Sequence, residues 1–144
     1  MTYSETAIRK GLDNEPGAEE LVNMTVLCCH VLQPIREHFD RSVNINSGFR
    51  SVEVCEALGS STKSQHTKGQ AADFEIYGMS NLELATWIYE NLEYDQLILE
   101  FHDPEGDPNS GWVHCSYNKI TADNRKQSLI INKKTEGKYL PWQP

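Results

Sequence analysis

The sequence predicts an α+β domain. Segments with helical apolar spacing are interspersed with short strand-like segments, and two of the latter are joined by a hairpin-type connection rich in Pro, Gly and Asp. The 144 residues, 38% hydrophobic and 24% charged, suit a single domain spanning 1–144 with a sizeable core.

The elements follow in order. Glu5–Lys10 reads as a short helix, with Ser4 as its cap and Gly11 as its stop. Ala18–Phe39 places Leu21, Met24, Cys28, Val31, Leu32 and Ile35 at helical spacing, which predicts one buried face; Pro34 kinks this helix or ends its first part. Val43–Asn46 reads as a short strand leading into a turn at Ser47-Gly48. Ser51 and Gly59 bracket a helix over Val52–Leu58. A polar loop, Ser60–Lys68, precedes the alternating segment Ala71–Ile76. Ser80-Asn81-Leu82-Glu83 is a capping box that opens a helix through Asn91. Gln96–Phe101 and Trp112–Tyr117 are strand candidates on either side of His102–Gly111, and Ser128–Ile131 reads as an edge strand.

Charge narrows the function classes. Lys and Arg number 13 against 21 Asp and Glu, for a net charge of −8. Sequence-independent nucleic-acid binding needs clustered cations, so nucleic acid is not an expected partner. The imbalance is uneven: residues 1–117 carry 7 basic and 19 acidic residues, net −12, whereas 118–144 carry 6 and 2, net +4. The basic stretch reads as a solvated end. The most apolar run, Val26–Leu32, is far short of the ~20 residues that cross a bilayer. Residues 1–25 lack the apolar stretch of a secretory signal, which predicts synthesis in the cytoplasm without membrane insertion. Cys28, Cys29, Cys55 and Cys115 include no C-x-x-C, and are expected to be reduced thiols packed in the core.

Strand alternation gives the first chemical signal. Side chains at i and i+2 share a face, so Ala71, Asp73 and Glu75 look one way in their strand. Gln96, Ile98 and Glu100 do so in the next, and Trp112, His114 and Ser116 in the third. If these strands are neighbours, their polar faces line one cleft. Two imidazoles, His66 and His114, with the carboxylate Asp73 suit a zinc ion with an open fourth position. Glu100, on the same face as His114, is the candidate proton acceptor. Spacing alone leaves a hydrogen-bonded strand histidine and an edge aspartate as the competing explanation.

The motifs go further. Ser64-Gln65-His66-Thr67-Lys68-Gly69-Gln70-Ala71-Ala72-Asp73 resembles the S-x-H-x-x-G-x-A-x-D signature of zinc D-alanyl-D-alanine peptidases. Trp112-Val113-His114 resembles that family's second histidine motif, and Ser47-Gly48-Phe49-Arg50-Ser51 its S-G-[YF]-R-S segment. The resemblance runs from Thr6 to Tyr117, making 118–144 an extension beyond the core 6–117. It implies a small antiparallel sheet carrying the metal and flanked by helices, as in the hedgehog, D-Ala-D-Ala peptidase and lysostaphin group. It implies one Zn2+ held by His66, Asp73 and His114, with Arg50 steadying the substrate carbonyl or oxyanion and Gln65 and Trp112 contacting substrate.

The implied partner is a peptidoglycan stem peptide, and the implied relatives include phage endolysins. A monomer acting on the cell wall after release, or from a virion, is the corresponding expectation. A non-catalytic zinc-binding module of the same fold is the alternative. One departure stands out: several members carry the catalytic Glu in an E-x-x-H pattern, and here that position is Gly111. Glu100 is then the expected base, with Asp95, His102 and Asp103 as the other candidates.

Overall fold

A computed structural model describes residues 1–144. Three of the α-helices start where a serine hydroxyl replaces a missing backbone partner. Ser4 accepts from the Ala7 amide at the start of α1 (Glu5–Lys10), and Ser51 from the Val54 amide at the start of α4 (Val52–Leu58). Ser80 opens α5 (Asn81–Asn91) by accepting from the Leu82 amide.

The long helical region is less regular than its apolar spacing predicts. It consists of α2 (Ala18–Leu27), a π-helical stretch over Cys28–Leu32, and α3 (Gln33–Phe39). The cause is Pro34, whose ring would strike the carbonyl four residues back and which donates no hydrogen bond. The wider π turn, where the Gln33 amide donates to Cys28 O, opens the helix ahead of it. The extra residue in that turn also shifts the buried stripe. Met24, Leu27, Val31, Leu32 and Ile35 are buried, whereas Cys28 is only half-buried and Leu21 lies exposed.

Six strands form one sheet in the order β1-β2-β4-β3-β5-β6. They are β1 (Asn44–Ser47), β2 (Ala71–Glu75), β3 (Gln96–Glu100), β4 (Trp112–Ser116), β5 (Gln127–Ile131) and β6 (Leu140–Pro141). All neighbours are antiparallel except β3 and β5, which run parallel, so the sheet is mixed rather than purely antiparallel. The chain leaves β4 through residues 117–126 and passes β3 to reach its far side, which sets that direction. β5 is therefore internal, with β6 outside it, and not the expected edge strand.

The two faces of the sheet differ in kind. Phe74, Val113 and Leu99 lie in register on one face, as do Ala72, Cys115 and Leu97. They pack against Leu27, Val31, Leu32 and Ile35 from α2–α3 and Leu84, Ala85 and Ile88 from α5, forming a single core. No helix is long and apolar enough to cross a membrane. All four cysteines are free thiols; Cys55 and Cys115 are buried, but Cys29 is exposed, correcting the expectation that all belong to the core. His30 stacks on Tyr117 and His38 on Trp87, at ring separations of 4.6 and 4.4 Å, both far from the other face of the sheet.

Candidate metal centre

That other face carries a cleft of about 620 Å³. Its floor is one row of the sheet: Ser47 pairs with Asp73, Asp73 with His114, and His114 with Ile98. The next row adds Glu100 opposite Trp112. One wall is the segment Ser60–His66 that follows α4.

The second imidazole-bearing element is a single 3-10 turn, Gln65–Lys68, and its position is heavily determined. Ser64 Oγ accepts from the His66 amide, and the His66 carbonyl accepts from the Arg50 amide. Gly69 ends the turn at φ +71°, beside α2; a Cβ there would lie 2.5 Å from Glu20 O and 2.9 Å from Met24 Cγ. Glycine is needed both for this left-handed backbone and for the close approach. Asn23 Nδ2 donates to Lys68 O at 2.8 Å, tying the turn to α2.

His66, Asp73 and His114 come together as a group able to hold a metal ion, with their ligand atoms within 4.8 Å of one another. His114 Nδ1 lies 2.9 Å from Asp73 Oδ1, and His66 Nε2 lies 3.4 Å from the same oxygen. His66 Nδ1 is 2.8 Å from Gly48 O and must donate to it, since a carbonyl only accepts. That fixes the tautomer, so neutral His66 turns the bare lone pair of Nε2 toward a carboxylate oxygen. Two acceptors face each other unless a proton or a cation lies between them. Tetrahedral zinc, with bonds near 2.0–2.1 Å, sets its ligand atoms about 3.3 Å apart, close to both separations. The donor set and its spacing fit zinc.

The remaining polar groups are organised around Asp73. Arg50 Nη2 donates to Asp73 Oδ2 at 3.3 Å, and its Nε donates to Ser47 Oγ at 3.0 Å. Burial works to raise the Asp73 carboxyl, but the His114 and His66 imidazoles beside it hold it well below the ordinary carboxylate value. Glu100 lies in the same cleft, and there the lowering effects of His114, the Trp112 side chain and Arg50 are outweighed. Burial pushes its carboxyl above the ordinary value, and the Asp73 charge adds to this. The other candidates for the base lie elsewhere. Asp95 is held by Arg125 and Gln65, His102 Nδ1 lies 3.3 Å from Ser110 O, and Asp103 Oδ1 accepts from the Glu105 amide. No residue from His102–Gly111 lines the cleft.

Gln65 and Trp112 both line the cleft, yet the Gln65 amide is already occupied: its Nε2 donates to Asp95 Oδ2 at 2.9 Å. Asp95, with a side chain only 2% exposed, also receives Arg125 Nε and Nη2, both at 2.9 Å. The Trp112 indole Nε1 is buried in the wall with no hydrogen-bond partner. Asp95→Ala leaves Gln65 and Arg125 unpaired and is expected to cost about 1–3 kcal/mol, seen as a lower urea midpoint. An unchanged midpoint would mean that the network contributes nothing to stability.

The match to known sequences decides the family: residues 1–116 match the model described as Peptidase M15. The chain belongs to the Peptidase M15 family. Membership supports a zinc metallopeptidase, in keeping with the donor set on the cleft floor. A search of curated proteins finds no match to the chain. The M15 match also clarifies which site residues the sequence failed to reveal. Arg125, which anchors Asp95, and Tyr139, which lines the cleft, both lie beyond the matched segment. Neither stands in a motif; only pairing of β5 and β6 onto the sheet brings them near.

Proposed function

We propose that this chain is a zinc-dependent peptidase that hydrolyses a peptide bond in bacterial peptidoglycan stem peptides, as a D-Ala-D-Ala carboxypeptidase or an endolysin-type endopeptidase. One observation carries the reading: the His66, Asp73 and His114 trio shares an open cleft with a lone, partly buried carboxylate, Glu100. His66, Asp73 and His114 would hold the ion. Zinc bound there supplies Lewis-acid polarisation of a carbonyl and lowers the pKa of a water to about 7.

Glu100 accepts the proton of the attacking water and delivers it to the leaving amine. Its raised pKa favours that exchange, because the carboxylate is neither paired nor fully solvated. Arg50, fixed by Ser47 and Asp73, offers its remaining N–H groups to the substrate carbonyl as negative charge develops on it. Gln65 and Trp112 line the path of the peptide. The C-terminal extension completes a single domain over 1–144, acting as a monomer on the cell wall after release or from a virion.

Mass analysis of the fragments released from purified peptidoglycan tests the reading and identifies the bond. Metal analysis of the purified protein is expected to find one zinc per chain. His66→Ala should lose that zinc and all hydrolysis. A zinc-free native protein would overturn the mechanism, and a fully zinc-loaded protein that releases no fragment would favour a non-catalytic binding module.

A further inference from the structure

The cleft has a wall that comes from outside the family segment. Tyr139 precedes β6 and lines the cleft together with Glu100, Trp112 and His114. Ser60, Ser61, Lys63 and Ser64 line the same cleft. The hairpin that presents it is firmly attached. Leu140 pairs with Ile130, the Trp142 amide donates to Ser128 O at 3.0 Å, and the Trp142 ring meets Tyr89 at 6.0 Å. Tyr139 is 56% exposed, so an anchored backbone presents an accessible residue in the lining of the cleft. Its surroundings are acidic: burial raises the phenol pKa, and the charges of Glu100 and then Asp73 raise it further. The hydroxyl therefore keeps its proton and remains a donor at neutral pH.

We infer that Tyr139 is a specificity-determining residue that contacts the substrate residue on the amine side of the cleaved bond. The inference rests on the peptidase reading above. There Glu100 hands its proton to the leaving amine, so the half of the substrate that departs lies on the Glu100 side of the cleft, where Tyr139 stands. A phenol supplies two things to that half. Its ring gives a flat apolar surface for a small side chain, and its O–H donates to a carbonyl or to a terminal carboxylate. Neither depends on the family segment, so the C-terminal extension tunes which peptides this site accepts.

Steady-state kinetics of the zinc-loaded protein on a peptidoglycan stem pentapeptide, with the Tyr139→Phe and Tyr139→Ala variants, tests this. Loss of one hydrogen bond predicts a KM roughly three- to tenfold higher in Tyr139→Phe. Tyr139→Ala should raise KM further, with kcat, zinc content and thermal midpoint close to those of the native protein. A direct readout accompanies it: in protein labelled with 13C at the tyrosine ζ position, the Tyr139 signal, assigned by its loss in Tyr139→Phe, should move when the pentapeptide is added. Turnover by the native protein with an unmoved signal and unchanged KM in both variants overturns the role of Tyr139 alone. Absence of both turnover and any shift in the native protein overturns the peptidase reading and this inference together.

Discussion

Replacing Glu100 with Gln is expected to lower kcat by roughly 10²- to 10⁴-fold, the usual contribution of a positioned acid–base group, while zinc stays bound. The substitution preserves shape and removes only the ability to carry a proton. Glu100 belongs to no ion pair and pairs across the ladder with Trp112, so the fold has little reason to change. That contrast with His66→Ala, which loses the metal, separates proton transfer from metal binding. The pH profile gives a second check. The base must be ionised, so activity falls as pH drops through the Glu100 pKa, and this acidic limb should vanish from the residual activity of Glu100→Gln. Burial and the Asp73 charge move the limb upward from the ordinary carboxylate value, and a nearby dication moves it back down. Full activity in Glu100→Gln would show that another group is the base.

The assignment of Glu100 also shows where sequence reasoning reaches and where it stops. Strand alternation alone placed Asp73, His114 and Glu100 on one face, because the period of two is a local property of the backbone. The ladder Asp73↔His114↔Ile98 then bears that face out. Serine caps at Ser4, Ser51 and Ser80 were equally readable, since each hydroxyl acts within three residues of itself. What escaped was non-local. Nothing near Ser128 signals that β5 will run parallel to β3 and be covered by β6, for that depends on where the chain crosses after β4. Arg125 and Tyr139 reach the site only through that crossing. The exposure of Leu21 has a different origin: the apolar spacing of Ala18–Phe39 predicts one buried stripe only for a helix of constant pitch, and the π turn before Pro34 breaks that phase.

Gly111 stands where the E-x-x-H pattern that several similar peptidases carry would put a Glu, and introducing that pattern with Gly111→Glu is expected to fail. Gly111 has φ +70°, and a Cβ built on it would collide with Glu100 O and lie 2.5 Å from Phe101 C and 2.6 Å from His102 N. These are backbone atoms of the neighbouring strand end, so no side-chain rotation relieves the contact. Phe101 itself sits at φ +56°, and its amide donates to Ile131 O at 2.7 Å, which fixes the bend from both sides. A left-handed non-glycine residue and an overpacked contact together should cost about 2–5 kcal/mol, lowering the thermal midpoint by roughly 6–20 °C for a chain of this size. Gly111→Ala should show most of that loss, because the first carbon is what collides. The double variant Glu100→Gln/Gly111→Glu should remain inactive, since any shift that admits the new side chain also displaces Glu100 and the adjoining Trp112-Val113-His114 strand. Recovery of activity in the double variant, at native stability, would show that the close approach of Gly111 to Glu100 does not exclude a Glu at this position.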